Sequence, residues 1–442
     1  MRPLPSYACL VLCLACSFPA AAQYTEVMDP DGLTLNAVDD FDLTDDGGAT
    51  NQSSEMQAAI DGLSAEGGGR LILPKGVYRF SGIYMRSNVH LLVEAGTIIK
   101  PYWPVDTKVV VFNLDAERPA NRKAARQAER DYIENVSIRG LGGRFTIDYS
   151  DRSRKSSEGS RGVLVRMARN FLIADLDVQD NFTVFCGITL TASRSKAEDV
   201  SDWEVSRATD GTIRNCRIFN ASPGYGMVQL HGARRVHFED LYAKGGVTLR
   251  LETGALNEHT AVHDITAKNI VGQDGRCAVM FGPHSAVNGK VTIENVKSIG
   301  CTYAVLIEYG SIKKQELAKD PETKPGKFAD GSSVSNIHAV FGKHAQIKSH
   351  HILEIPEPYL KDLWLRWENK FFDGPSIGAV KDGSRGTYHI RCENITLEGF
   401  THNSDKPILG PEDAREGKWP IALKAWMQRE DVPAAKKQSR LE

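Results

Sequence analysis

The sequence predicts an all-β protein, a right-handed parallel β-helix, from a recurring strand motif, the turns within it and one helix near the start. From residue 135 onward, short segments with apolar residues two apart alternate with polar turns that often contain Asn or Asp. The pattern occurs in Asn135–Ile138, Thr212–Ile218, Val236–Leu241, His263–Ile270, Val291–Val296 and His389–Leu397. Steps from Ile213 to Val236, Ile265 and Val291 are 23, 29 and 26 residues, which is typical of solenoid coils with loops of varying length.

One amphipathic helix is expected ahead of the solenoid. Met56, Ala59, Ile60 and Leu63 are spaced for a single apolar helical face, and three glycines at 67–69 end it. The following LILPKGVYRF predicts a strand and a turn. This order resembles the opening of pectate-lyase-like β-helices, in which such a helix caps the first coil and blocks its open sheet end.

The first 22 residues have the layout of a secretory signal peptide, with Arg2, an apolar stretch from Tyr7 to Phe18 and three alanines before Gln23. The apolar stretch is too short to span a bilayer. We therefore expect residues 23–442 to form one secreted β-helix domain, extracellular or periplasmic. A lipid anchor on Cys16 is the alternative, because the preceding residues resemble a lipobox, although Cys13 stands where an aliphatic residue is usual.

Composition gives no sign of a nucleic-acid or membrane partner, because 54 basic and 56 acidic residues nearly balance. The cysteines after the signal segment have no CxxC spacing, so they predict core positions, with one or two bridges between coils as the alternative. They are Cys186, Cys216, Cys277, Cys301 and Cys392. A secreted β-helix can bind calcium, but no segment has the spacing of a calcium loop, so no metal ligand or other cofactor is assigned. A monomer is expected.

The interval 310–386 departs from the strand pattern. It holds a polar run at 313–331, followed by Pro356, Pro358, Trp364, Arg366, Trp367, Glu368, Phe371 and Phe372. One interpretation is one or two insertions packed on the solenoid, with the aromatic residues as their own core. The other is a lid over a sugar groove, in which Trp367 stacks on a pyranose ring and Arg366 pairs with an anionic substituent. Both can hold together, so we expect the insertion to cover the groove.

Four consecutive coils predict a polar row on the outer surface of the solenoid. If the apolar residues of 228–231, 249–252, 279–281 and 305–308 alternate inward, the outward side chains are Gln229, His231, Arg250, Glu252, Met280 and Glu308. Gln229 and Glu252 are 23 residues apart, one coil, and are expected side by side about 4.8 Å apart. A glutamate beside an amide and near His284 could be held protonated as a general acid for glycosidic cleavage. A solvated outer face is the alternative.

The segment 245–253, with Gln229 one coil earlier and His284 one coil later, resembles the active-site region of the iota-carrageenases, glycoside hydrolase family 82. The likeness extends loosely over most of the chain after residue 22. It implies an endo-acting, inverting hydrolase that cleaves a β-1,4 linkage of a sulfated galactan. By this resemblance Glu252 is the proton donor, and Gln229 and His284 help to position water and substrate.

The chain departs from the family at Gly254. The family places an aspartate there, two residues after the acid, where it can activate water from across the sugar ring. Residues that could supply a base instead are Glu258, His259 and Asp274 in loops, and Glu308 two coils away. If none of them reaches the site, the protein is slow, inactive on the expected substrate, or a binder.

A sulfated substrate requires cations. Arg250 on the polar row, Arg276 on the next coil and Arg366 in the insertion are the candidates for sulfate contacts. For Arg276, an ion pair with the nearby Asp274 is an equal alternative. The expected substrate-binding set is completed by His231, Glu308 and Trp367.

Two further functions remain open from the sequence. A polysaccharide lyase uses Lys, Arg or His to remove the proton beside a uronic acid, commonly with calcium, and its products absorb in the ultraviolet. A catalytically inactive glycan-binding β-helix is the other, and Gly254 is its main support. A polygalacturonase is disfavoured, because its paired aspartates and its Asn-Thr-Asp motif are not seen.

Overall fold

The computed structural model describes residues 24–27, 32–115, 132–192, 207–254, 261–366 and 371–438. Over these residues the chain winds into a right-handed parallel β-helix, which confirms the predicted fold class. The expected signal peptide lies outside the described residues, and so do Glu258, His259 and Trp367.

Each coil contributes up to three short strands, which stack on those of neighbouring coils as three parallel faces. The first face contains β1 (Thr34–Asn36), β2 (Gly69–Leu73), β5 (Val89–Glu94), β8 (Ile133–Leu141), β11 (Ala168–Ala174), β16 (Val262–His263), β17 (Ile265–Gln273), β19 (Val291–Ile299), β21 (Ser333–Val340) and β26 (Arg391–Glu398). The second contains β3 (Val77–Arg79), β6 (Ile98–Lys100), β9 (Phe145–Asp148) and β12 (Leu176–Gln179), and β17, β19, β21 and β26 continue into it past a turn. The third contains β4 (Ile83–Tyr84), β7 (Val109–Leu114), β10 (Ser160–Val165), β13 (Ile188–Leu190), β18 (Cys277–Gly282), β20 (Tyr303–Ile307), β25 (Val380–Asp382) and β27 (Ile408–Leu409). Strands β14 (Ala208–Leu230) and β15 (Ala233–Glu252) run through all three faces.

The interior of the solenoid is filled by the apolar side chains that alternate along these strands. The core contains the predicted inward set, Val228, Leu230, Leu249, Leu251, Val279, Phe281, Val305 and Ile307. Helix α1 (Ser53–Ala65) packs against the first coils and buries the apolar face predicted from its spacing, Met56, Ala59, Ile60 and Leu63. The expected helix at the start of the solenoid is therefore confirmed.

A ladder of Asn and Asp side chains forms the turn between the first and second faces. Asn269, Asn295, Asn336 and Asn394 have φ between +53° and +58°, a left-handed conformation that Asn tolerates better than most residues. Each of these amides donates a hydrogen bond of 2.8–3.0 Å to the equivalent side chain one coil earlier. The ladder explains why Asn and Asp recur in the motif.

Strands β21 and β25 of the solenoid lie within the interval 310–386, together with a separate unit. That unit, the accessory sheet, consists of antiparallel strands β22 (Ala345–Lys348), β23 (Trp364–Arg366) and β24 (Phe371–Gly374). It packs on the outer surface of the third face, where Met280 and Leu306 share an apolar cluster with Ile347 and Phe372. Helix α2 (Lys314–Lys319) precedes it, and Trp426 of helix α3 (Trp419–Gln428) packs on Phe372.

The cysteines have free thiols, and four of the five are fully buried, as expected of core residues. In the segments that the structure describes, the alternative of bridges between coils is therefore not realised. A search of the same segments finds no helix that is both long and apolar enough to cross a membrane.

Candidate active site

The predicted polar row lies on the outer surface of the third face, but in a different register from the predicted one. Gln229 pairs with Arg250, so the coil step on this face is 21 residues, and the expectation that Gln229 and Glu252 are level was wrong. Glu252 lies two positions beyond Arg250 on the same side of the strand. The amide of Gln229 still reaches it diagonally, because Nε2 donates a hydrogen bond of 2.6 Å to Glu252 Oε2.

Glu252 is surrounded by positive charge. Arg250 forms an ion pair with Glu252 Oε1, and His284 Nε2 lies 3.5 Å from the same oxygen. Burial alone would raise the pKa of Glu252, but the hydrogen bond from His284 and the charge of Arg250 outweigh it and hold the pKa well below its usual range. The carboxylate is therefore ionised in the substrate-free protein, and the expectation that it is held protonated was wrong for this state.

Two histidines contact Glu252, one at its backbone carbonyl and one at its carboxylate. His231 is buried level with Glu252, and its Nδ1 donates a hydrogen bond of 2.7 Å to the backbone carbonyl of Glu252. Burial lowers the pKa of His231 to about 4, so this ring is neutral near pH 7. His284 follows β18 with a left-handed backbone, φ +44°, and its Nδ1 contacts Ser311 Oγ at 2.9 Å. Its other nitrogen is left to face Glu252.

A second carboxylate lies two coils beyond Glu252. Gly282 pairs with Glu252, and Glu308 follows at the same level on the next coil. Two coil steps of about 4.8 Å put the two backbone positions roughly 10 Å apart. Gly282 contributes no side chain between the carboxylates, and a Cβ built on it would lie 3.1 Å from Met280 Cε and 3.6 Å from Glu308 Oε2.

Arg276 holds Glu308 in this position. The arginine is fully buried, forms an ion pair with Glu308 and makes none with Asp274. Burial would raise the pKa of Glu308, but Arg276 and Lys348 lower it to about 2. The structure thus places Arg276 behind the carboxylate, not on the surface that the sequence analysis assigned to sulfate, because its long side chain lies beneath the accessory sheet.

At Gly254 the backbone conformation, and not only the missing side chain, disfavours an aspartate. Its φ is +69°, and a Cβ there would lie 3.0–3.1 Å from backbone atoms of Pro283, Ser285 and Ala286. Side chains at such positions are both crowded and conformationally strained. The local backbone of this chain is therefore built around glycine.

Arg366 and Asp274 lie together elsewhere, near the turn at Gly245 that precedes the third-face part of β15. Arg366 donates a hydrogen bond of 2.6 Å to Asp373, and with Asp274 and His344 it lines a cavity of about 190 Å³ beside Gly245. No contact joins Arg366 or Asp274 to Glu252 in the described part of the chain. Asp274 is thereby placed away from the acid for which it was a candidate base.

Lys348 of the accessory sheet is a residue that sequence reasoning missed. Gln346, on the same side of β22, anchors this strand to the solenoid by accepting a hydrogen bond of 2.6 Å from Gly246 N. Lys348 therefore faces the third face. The charge of Arg276 first, and burial second, lower the pKa of Lys348 to about 7. No repeat relates β22 to the solenoid coils, so only its own alternation, AQIK, carried a signal.

Three more side chains near the row were also missed, Arg161, Phe185 and Tyr225. Arg161 stacks on Phe185, and Arg250 lies over the Tyr225 ring with 5.5 Å from its guanidinium carbon to the ring centroid. Phe185 lies three residues before β13, and Tyr225 lies at the equivalent place within β14, three residues before Val228, where irregular turns interrupt the periodicity. Among the described residues, no cluster of three metal-ligating side chains is found that could hold an ion.

Comparison with known proteins identifies relatives along most of the chain, although no family model matches it. It is 32% identical to an iota-carrageenase of Zobellia galactanivorans over 420 residues, covering 80% of each chain. It is 28% identical to an iota-carrageenase of Alteromonas macleodii over 439 residues, covering 83% of this chain and 85% of the relative. A solved iota-carrageenase complexed to iota-carrageenan fragments superposes with a TM-score of 0.77 at 25% identity, covering 91% of this chain and 96% of the other.

A buried glutamate held by an amide, an arginine and a histidine on one face of a parallel β-helix, together with these relatives, defines a polysaccharide-degrading glycoside hydrolase of the β-helix class. Within that class the chain belongs to the iota-carrageenase family, glycoside hydrolase family 82.

Proposed function

We propose that the protein is a secreted, monomeric, endo-acting and inverting hydrolase of the β-1,4 linkage of a sulfated galactan such as iota-carrageenan. The observation that carries the proposal is the contact of 2.6 Å between Gln229 and Glu252, which builds an acid site on the third face of a family member. Relatives named iota-carrageenases, one of them solved with iota-carrageenan fragments, support the substrate class.

Glu252 is the proton donor to the glycosidic oxygen. A general acid must carry its proton when the bond breaks, whereas Arg250 and His284 keep this carboxylate ionised in the empty site. A substrate sulfate near these two cations offsets their charge, which raises the pKa of Glu252 and favours the protonated form. Binding of the anionic substrate would thereby prepare the acid.

Glu308 is the base in place of the aspartate that the family has at position 254. Its pKa is lowered to about 2, so it is ionised and can accept a proton from water. Inverting glycosidases place their carboxyl groups roughly 6.5–9.5 Å apart to leave room for that water. The two-coil separation of Glu252 and Glu308, with Gly282 between them, suits this spacing. His231 and Gln229 keep the acid in place, and His284 positions substrate.

The accessory sheet is one wall of the groove. It covers the third face over Met280 and Leu306 and leaves the row from Gln229 to Glu252 beside its edge. Arg366 lines a cleft between this sheet and the solenoid, where it would contact a more distant substituent of a long substrate.

A polysaccharide lyase is the second candidate, and Lys348 is the observation that favours it. Proton abstraction next to a uronic acid requires a neutral amine or imidazole, and a lysine with a pKa of about 7 is half neutral at physiological pH. No hydrogen bond or ion pair ties its ammonium group to another residue within the described segments. The negative charge of Glu308 partly stabilises the charged form of Lys348. The two carboxylates of Glu252 and Glu308 favour hydrolysis over elimination.

Incubation with iota-carrageenan, less sulfated carrageenans and uronic-acid glycans decides between these functions. Hydrolysis releases reducing ends without ultraviolet absorbance, elimination releases both, and a binding protein releases neither. We expect reducing ends alone, from a sulfated galactan, with inverted anomeric configuration in the first product detected by NMR. Ultraviolet absorbance from a uronic-acid glycan would overturn the hydrolase assignment.

A further inference from the structure

A strip of two aromatic side chains flanked by two arginines leads up to Glu252 across four consecutive coils. Each coil contributes one residue to the strip, because strands β10, β13, β14 and β15 are neighbours on the third face. In coil order these residues are Arg161, Phe185, Tyr225 and Arg250. The Arg161 guanidinium carbon lies 3.6 Å from the Phe185 ring centroid, and the Phe185 and Tyr225 rings meet edge to face at 6.0 Å. Arg250, at the far end, also pairs with Glu252.

Arg161 carries a charge that no carboxylate offsets within the described residues. Its Nε donates a hydrogen bond of 3.1 Å to Thr189 Oγ1, and its guanidinium group lies over the Phe185 ring. Burial lowers the pKa of Arg161 to about 10, which leaves it charged at neutral pH. Arg217 and Arg235, outside the strip, are instead paired with Asp177 and Asp210. A largely buried cation without a partner is costly and suits a site that receives an anion.

Phe185 has an unfavourable backbone conformation. Its φ is +102°, which is unfavourable for a bulky side chain. The ring lies against Gly159, where a Cβ would come within 2.4 Å of Phe185 Cε2. The preceding turn is fixed by Asp180, which accepts hydrogen bonds from Asn181 N and from Thr183. Strain of this kind is typical of functional positions.

Lys108 adds a second cation, 5.2 Å from the Phe185 ring centroid. We propose that Arg161, Phe185, Tyr225 and Lys108 form a binding subsite for a sulfated pyranose, separated from Glu252 along the solenoid axis. The aromatic surface contacts the sugar C–H groups, and the two cations bind its sulfate. Coils rise by about 4.8 Å, so a chain lying across the strands passes from this subsite over Tyr225 to Arg250 and the acid. The assignment rests on the proposed hydrolysis of a sulfated galactan.

The test measures binding in a Glu252→Gln background, which removes turnover. Calorimetry with iota-carrageenan oligosaccharides is compared for this background alone and with Arg161→Gln, Arg161→Lys or Arg391→Gln. Arg391 is exposed on the first face and is the matched control. We expect Arg161→Gln to raise Kd about 10-fold or more, Arg161→Lys to raise it less, and Arg391→Gln to leave it unchanged. Desulfated oligosaccharides should bind weakly and equally to all variants.

An unchanged Kd in Arg161→Gln, with circular dichroism showing a folded protein, would overturn the subsite. If Arg161→Gln does not fold, Phe185→Leu serves as the second variant, with the same expected loss and the same overturning result. The proposed function fails separately, because it is measured as reducing ends released by the unsubstituted protein. If the unsubstituted protein releases no reducing ends, the hydrolase assignment is wrong. The subsite still stands in that case if Arg161→Gln weakens binding of the sulfated oligosaccharide.

Discussion

Gln229 donates a hydrogen bond of 2.6 Å to Glu252, although its backbone is paired with Arg250 and not with Glu252. The contact is therefore diagonal, and Arg250, level with Gln229 on the neighbouring coil, also pairs with the carboxylate of Glu252. The acid, its amide partner and the cation that controls its charge form one unit across two coils.

Arg250→Gln is predicted to shift the pH dependence of catalysis. Arg250 lowers the pKa of Glu252, so its loss raises that pKa. A general acid works protonated, so activity should persist to higher pH, with the alkaline limb of kcat, which reports the substrate-bound enzyme, moving up by about 1 unit. The position of the limb is the readout, because the height of the profile also reports substrate binding. A limb that stays in place would separate Arg250 from the acid, and Arg391→Gln is the control.

Glu308→Gln is predicted to remove the base and to destabilise the fold. The substitution leaves the buried Arg276 without its counter-charge, at a cost of about 3–5 kcal/mol in urea unfolding. Glu308→Gln combined with Arg276→Met removes both charges and should recover most of that stability. Turnover of the double variant should still fall by about 100-fold or more, since a base contributes roughly that factor. Full turnover in the stable double variant would assign the base elsewhere.

Gly254→Asp tests whether the family's aspartate can simply be restored. The left-handed backbone and the contacts of 3.0–3.1 Å predict a loss of about 1–2 kcal/mol in unfolding free energy and no gain in turnover. Gly331→Asp is the matched control, because Gly331 has φ +81° but nothing within 4 Å of a Cβ. It should lose less stability than Gly254→Asp. Higher turnover with unchanged stability would show that the local backbone accommodates the aspartate.

Asp180→Asn is predicted to change how stability depends on pH. Burial raises the pKa of Asp180 to about 7, above the unfolded value of about 3.9, so only the unfolded chain ionises this group between these values. Below about pH 4 this group therefore costs the folded protein no stability. As pH rises toward 7, the free energy of unfolding falls by on the order of 1.4 kcal/mol per pH unit at most. The asparagine removes this loss, so its melting temperature relative to the unsubstituted protein should increase from pH 4 to 7. An equal difference at both pH values would contradict the buried, protonated aspartate.

The fold could be predicted because the strand alternation is local and repeats. Val228 and Leu230 point inward and Gln229 points outward, as the alternation of side chains along a strand predicts. The contact of Gln229 with Glu252 was also predicted, but its register was not. Ile218 pairs with Ala243, a step of 25 residues, whereas Gly226 pairs with Val247, a step of 21. The irregular turn between them changes the coil length, and no periodicity shows it.

The remaining site residues depend on contacts between distant parts of the chain. Lys348 reaches the third face only because the accessory sheet docks there through Gln346. Arg276 was expected at the surface, and that sheet buries it against Glu308. The low pKa of Glu252 has the same origin, since His284 comes from another coil. Tertiary packing of this kind leaves no trace in strand spacing.

Glu252→Gln, assayed on iota-carrageenan beside the unsubstituted protein, tests the central claim most directly. Glu393→Gln, on an exposed glutamate of the first face, is the matched control. We expect Glu252→Gln to keep the β-helix circular dichroism spectrum but to release almost no reducing ends, while Glu393→Gln is fully active. Full release of reducing ends by Glu252→Gln would contradict the role of Glu252 as the acid.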